Sequence, residues 1–136
     1  MRIFIIAAAF SMILYSTTAF SSDEINKCAS SVDHATMRKC LEDSAKRAND
    51  ELMSIEKKLI VSLKGWDQDE IWQDKAIRRL NAAANAFRAY QKQQCEFEAS
   101  VAAGGNAAGD LRAECIYRLA KDRSKLLLEQ EKNLKD

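Results

Sequence analysis

The chain has 136 residues with 21 basic and 20 acidic side chains, four glycines, four cysteines and no proline. This near-neutral charge argues against bulk nucleic-acid binding, which requires a surplus of Lys and Arg to displace counterions. A β-sandwich or barrel needs turn residues about every 8–12 positions, whereas the glycines here lie only at Gly65 and in residues 104–109. The composition therefore predicts a single small all-α domain.

The first 21 residues have the layout of a secretory signal peptide. Arg2 is followed by a short apolar run and then by small residues, which is the order that such signals show. The run is shorter than the roughly 20 residues that cross a bilayer, so a cleaved signal is favoured over an uncleaved anchor. We expect cleavage between Ala19 and Ser22, most simply just before Ser22. The mature domain, residues 22–136, is then expected to lack stable membrane insertion.

The pattern of residues 37–63 predicts the first long helix. Apolar or small residues recur there in steps of three and four, and charged residues, among them Glu56, fill the opposite face. The helix is expected to begin between Ser31 and Thr36 and to end at Gly65, a typical C-terminal cap. The polar residues 22–35 are predicted to be irregular up to that start.

Two further long helices follow. The second is predicted to begin at a turn capped by Asp67 or Asp69 and to carry its apolar residues as far as Phe97. The third is predicted to begin with Asp110 as its cap and to run towards Lys135. Three long helices joined by two short connections predict a small antiparallel bundle.

The four cysteines predict two disulfides, because an even number of cysteines in an exported chain is usually paired. Four cysteines allow three pairings, and the spacing favours the local ones, Cys28 with Cys40 and Cys95 with Cys115. A zinc site is the competing interpretation. The cysteines lack the close spacing of structural zinc sites, and His34 is the sole histidine. We therefore expect no bound metal.

The sequence offers few groups for catalysis. His34 is the one imidazole, and its nearest cysteines are expected to be oxidised, which removes the thiolate that a nucleophile requires. His34 itself is expected to be solvated or to cap a helix start. The glycine-bearing residues 104–110 lack the Lys and Ser/Thr of a phosphate-binding loop. These features predict a protein without catalytic residues or cofactor.

Two segments, expected at opposite ends of the bundle, are the candidate partner-binding surfaces. The first is a predicted protruding loop, from which we single out Gly104, Gly105, Asn106, Asp110 and Arg112. The second is the predicted turn at residues 66–72, from which we single out Trp66, Asp67, Asp69, Glu70 and Trp72. For its acidic residues, helix capping in a solvated turn competes with acid–base chemistry, calcium binding and partner binding. The flanking tryptophans are residue types that interfaces favour.

A set of residues spread over nearly the whole mature chain carries a family resemblance. It comprises Cys28, Cys40-Leu41, Ala48, Glu51-Leu52, Leu59, Leu80, Ala83, Phe87, Tyr90, Cys95, Gly104-Gly105, Cys115, Leu119, Arg123 and Leu127. In order and spacing this set resembles the LprI-like lysozyme-inhibitor family. The resemblance implies a disulfide-linked helical domain in the periplasm that binds a protein partner, a lysozyme or another cell-wall hydrolase.

Three functions follow from this interpretation, all without enzymatic activity. The first is inhibition of a lysozyme, whose cleft holds two carboxylates. The loop at 104–110, with Arg112 behind it, would offer hydrogen bonds or positive charge to those acids, and the turn at 66–72 could instead meet a basic enzyme surface. The alternatives are an immunity protein against a toxin delivered to the periplasm and a periplasmic stress or structural factor.

Overall fold

The computed structural model describes residues 23–135 as four helices. They are α1 (Asp23–Ala29), α2 (His34–Lys64), α3 (Glu70–Ser100) and α4 (Ala107–Asn133). The described residues contain no β-strand, which confirms the all-α prediction for this part of the chain. The predicted signal peptide lies outside the described residues. None of the helices described is long and apolar enough to cross a membrane.

The short helix α1 corrects the prediction that residues 22–35 are irregular. Cys28 is completely buried, and Ile25 packs against the core. Glu24 forms an ion pair with Arg47 of α2. Seven residues are too few to show helical periodicity or to form a stable helix in isolation. These tertiary contacts with α2 stabilise α1, and a sequence pattern does not reveal them.

The longest apolar stripe lies on α2. Its N-terminus follows Asp33, whose carboxylate accepts a 2.9 Å hydrogen bond from the backbone N–H of Thr36. The start therefore falls within the predicted range. At the other end the N–H of Gly65 bonds back to the carbonyl of Val61, as expected for a helix cap. The buried apolar residues are Leu41, Ala45, Ala48, Leu52, Ile55, Leu59 and Leu63.

Helix α3 begins at Glu70, after a turn that Gln73 closes. The side-chain amide of Gln73 donates to the carbonyls of Trp66 (2.8 Å) and Gln68 (3.0 Å). Asp69 occupies the N-cap position, but its side chain makes no capping hydrogen bond. The backbone N–H groups of Trp72 and Gln73 instead donate to the backbone carbonyl of Asp69, at 2.8 and 3.2 Å.

The hydrophobic core lies mainly between α2 and α4, which run parallel. Arg38 pairs with Asp110, Glu51 pairs with Lys121, and Ser62 bonds to Glu131. In these three contacts the residue numbers increase along α2 and along α4 in the same direction, as they do in parallel helices. Small buried residues line both helices, Ala45 and Ala48 on α2 and Ala113 and Ala120 on α4. Such residues allow two helices to approach closely. Helix α3 runs antiparallel to both and packs against α4 and, less extensively, against α2.

Both predicted disulfides are present. Cys28 is bonded to Cys40, and Cys95 is bonded to Cys115, each with Cα atoms 5.4 Å apart. The first bond attaches α1 to α2, and the second attaches the last turns of α3 to α4. All four cysteines are therefore oxidised, which confirms the pairing favoured by the spacing.

Candidate binding surfaces at the two bundle ends

The topology places the candidate segments far apart. The loop end consists of residues 101–106 together with the first turns of α2 and α4. The turn end consists of residues 65–69 together with the first turns of α3 and the last turns of α2 and α4. Helix α3 joins them through 31 residues, a length of about 45 Å at 1.5 Å per residue. The two sets of predicted residues therefore form two separate surfaces.

The connection at the loop end is tighter than the sequence predicted. Gly105 donates a 2.9 Å backbone hydrogen bond to Ala102, and Gly104 adopts a φ of +77°, a conformation that glycine accepts without strain. Asn106 ends the connection, because α4 already begins at Ala107. The predicted loop at 104–110 is thus an exposed turn up to Asn106 followed by helix.

Asp110 is not the cap of α4 but a buried ionic link between two helices. It is 8% exposed. Its Oδ2 lies 2.8 Å from Nε2 of His34, and its Oδ1 accepts a 2.9 Å hydrogen bond from Nε of Arg38. Burial acts to raise the pKa of Asp110, but the hydrogen bonds from His34 and Arg38 and the charge of Arg38 outweigh burial and hold that pKa below its usual value.

Arg38 also connects Asp110 to the loop. Besides Asp110, it donates to the backbone carbonyl of Asn106. A Cβ atom added at Gly109 would lie 2.8 Å from Cζ of Arg38. The missing side chain at Gly109 therefore leaves room for the guanidinium to cross from α2 to α4. The sequence shows the glycine, but it does not predict that Arg38, 71 positions earlier, lies against it.

Arg112 is also engaged within the chain. Its Nε and Nη2 donate to the two carboxylate oxygens of Glu96, at 2.8 and 2.9 Å. This two-bond pair joins α3 to α4 and lowers the pKa of Glu96. At the loop end, both charged groups that the sequence singled out, Asp110 and Arg112, therefore already have partners inside the protein.

The tryptophans at the turn end have different environments. Trp66 is partly buried and packs against the core, whereas Trp72 is 50% exposed. Nζ of Lys75 lies 4.8 Å from the centre of the Trp72 ring, within the range of a cation–π contact. Trp66 and Trp72 line a shallow depression of about 360 Å³, together with Gln68, Lys75, Ala76 and Arg79.

The predicted acidic residues of the turn end are all on the surface. Asp67, Asp69 and Glu70 are exposed, and their carboxylates form no ion pair in the part of the chain that the structure describes. The described residues contain no group of three or more His, Cys, Asp or Glu side chains that could hold a metal ion.

One known protein family has a model that matches most of this chain. Residues 25–127 match the family model described as lysozyme inhibitor LprI. The chain belongs to the LprI family. The matched range contains all four bonded cysteines, the turn and the loop. No curated protein and no solved structure gave a match to the chain.

This LprI-family chain also has a buried charge that the sequence pattern misplaced. Glu56, predicted on the solvent face of α2, is 6% exposed. Its carboxylate accepts hydrogen bonds from Arg88 of α3 (2.6 Å) and Arg123 of α4 (3.3 Å). The guanidinium of Arg123 also lies 4.9 Å from the centre of the Phe87 ring. Glu56 thus links all three long helices, a role that depends on residues 32 and 67 positions away.

A groove that sequence reasoning did not reveal lies between α2, α3 and α4. It has a volume of about 600 Å³ and an apolar floor that includes Leu52, Phe87 and Ile116. The buried side chain of Gln91 crosses it and donates to Asn49 (3.1 Å) and to the carbonyl of Ile116 (3.2 Å). This groove forms because α4 packs against both neighbours while α2 and α3 touch each other less.

Proposed function

We propose that this LprI-family chain is an exported, non-enzymatic protein that binds and inhibits a lysozyme or a related peptidoglycan hydrolase. The observation that carries the proposal is the family match over residues 25–127, which covers nearly the whole described domain. The two disulfides support export, because such bonds persist mainly in oxidising compartments. The periplasm is the compartment that we propose.

The side-chain chemistry supports binding rather than catalysis. All four cysteines are in disulfides, so none supplies a thiolate. His34 is the chain's single imidazole, and its Nε2 is occupied by Asp110 at 2.8 Å. A binding protein needs no reactive group, but it does need a surface that keeps its shape. A rigid, disulfide-linked bundle provides one, because less flexibility is lost on association.

Inhibition is expected to be stoichiometric. The oxidised mature chain should be titrated against lysozymes of several types, with the rate of peptidoglycan hydrolysis as the readout. Activity should fall in proportion to added protein and level off near one inhibitor per enzyme, without cleavage of the inhibitor. A reduced and alkylated sample of the same chain serves as the control and should inhibit weakly. Unchanged hydrolysis across the whole panel would overturn the proposed function.

A further inference from the structure

The arginines of this chain divide into two groups. Of the eight that the structure describes, six form ion pairs with carboxylates of the same chain: Arg38, Arg47, Arg88, Arg112, Arg118 and Arg123. The other two, Arg78 and Arg79, are adjacent and exposed, and neither has a carboxylate within ion-pair distance among the described residues. Each therefore keeps its five N–H donors available to a partner.

These two arginines belong to a continuous surface at the turn end. Trp72, Lys75 and Arg79 are spaced by three and four residues and so share one side of α3. Trp66 completes the depression that Trp72, Lys75 and Arg79 line, and Arg78 lies beside them, one turn after Lys75. We call Trp66, Trp72, Lys75, Arg78 and Arg79 the aromatic–basic face.

The acidic residues nearest to this face, Asp67, Asp69, Glu70 and Asp74, are exposed and form no ion pair with its basic groups in the described part of the chain. Glu70 and Asp74 are each two residues from Trp72, which places them about 160° around the helix from it at 3.6 residues per turn. Trp72, Lys75 and Arg79 therefore lie on a different side of the first turns of α3 from Glu70 and Asp74, whereas Arg78, four residues after Asp74, lies next to it. A carboxylate-bearing partner can approach Lys75 and Arg79 from the side that faces away from Glu70 and Asp74.

The composition of the aromatic–basic face is that of an interface rather than of ordinary surface. Tryptophan and arginine are the residue types most enriched among the few side chains that dominate binding energy. Ile71, next to Trp72, is 69% exposed and adds apolar area. Arginine also binds carboxylates through two parallel hydrogen bonds, which gives both affinity and orientation.

We propose that the aromatic–basic face is the surface that engages the inhibited enzyme, and that its counterpart is a cluster of carboxylates such as the pair that lines a glycosidase cleft. This inference rests on the proposed function. The loop end fits the same partner less well. Arg112 would have to leave the two oxygens of Glu96, and Arg38 would have to leave Asp110. Arg78 and Arg79 give up no ion pair in the described part of the chain.

The test compares two double variants that remove the same charge. Arg78→Ala/Arg79→Ala removes the unpaired arginines, and Lys57→Ala/Lys58→Ala removes two adjacent exposed lysines of α2 that have no ion pair among the described residues. Against a lysozyme that the wild-type chain inhibits, the arginine variant should raise the inhibition constant by about tenfold or more, as loss of a dominant contact does. The lysine variant should change it by less than about twofold, since distant surface charges are screened.

The remaining outcomes separate the two proposals. If the arginine variant inhibits as well as wild type, or if Arg112→Ala is the change that abolishes inhibition, the aromatic–basic face is overturned while the proposed function stands. If wild type inhibits no lysozyme in the panel, the proposed function is overturned, and this inference with it. Circular dichroism and thermal unfolding should be the same for both double variants, because all four side chains are exposed.

Discussion

The two ends of the bundle are built differently. Near the loop end, both disulfides, the helix α1 and the contacts of Asp110 hold four helices together. At the turn end, the apolar core, the hydrogen bonds of Gln73 and the bond between Ser62 and Glu131 hold the helices. At the loop end Arg38, Asp110 and Arg112 form ion pairs within the chain, whereas Arg78 and Arg79 at the turn end form none among the described residues.

From this difference we infer a division between stability and recognition. A charged side chain that already has an internal partner must break that contact before it can bind another protein, and a buried pair is costly to break. An exposed, unpaired arginine has no such cost. We therefore propose that the loop end contributes mainly to the stability of the domain and that the turn end binds the partner.

The largest expected effect on stability comes from the second disulfide. In Cys95→Ser/Cys115→Ser, the loop of 20 residues is no longer closed in the unfolded chain, which should lower the free energy of unfolding by about 3 kcal/mol. Urea unfolding at neutral pH measures this change in the free energy of unfolding. Inhibition by the folded fraction should be retained, because the bond lies far from the turn end. A variant as stable as wild type would show that the loop end does not depend on this bond.

A smaller loss of stability is expected when the ionic link formed by Asp110 is removed. Asp110→Ala leaves Arg38 and His34 without their shared carboxylate and should lower the free energy of unfolding by about 1–3 kcal/mol, the range for a buried hydrogen-bonded group that loses its partner. Asp122→Ala, at an exposed position of the same helix, is the matched control and should stay within about 0.5 kcal/mol of wild type. Equal losses in both variants would contradict the role of Asp110.

The smallest expected effect is a loss of stability at acidic pH. The pKa of Asp110 is lowered in the folded protein, so its ionised form stabilises the fold at pH values above the unfolded pKa of about 4. That contribution should be lost as the pH falls below about 4 and through the lowered folded pKa. Urea unfolding at pH 7, 5 and 3 measures the loss, and Asp110→Asn should show a smaller one. An identical pH profile in wild type and variant would argue against the link.

Local sequence patterns predicted much of this fold. The apolar residues of α2 recur in steps of three and four, and this spacing predicts which side of the helix faces the core. The helix and its ends could therefore be predicted from residues 33–65 alone. Short sequence separations likewise made the disulfide pairs predictable, because closing a short loop costs little entropy. Such features depend on residues that are close in the chain.

Features that depend on distant residues could not be read in this way. Asp110 had the residue type and position of a helix cap, but Arg38 and His34 arrive from more than 70 positions away and bind it instead. Glu56 follows the charged pattern of α2, yet Arg88 and Arg123 bury it. The unpaired state of Arg78 and Arg79 is likewise visible only once the partners of the other arginines are known.

The most direct test of the division between the two ends is an NMR map of the complex. Backbone amide signals of the isotope-labelled, oxidised chain would be followed during titration with an unlabelled lysozyme that it inhibits. We predict that the signals that shift or broaden lie mainly in residues 66–79. Changes concentrated in residues 101–112, with 66–79 unaffected, would contradict the account.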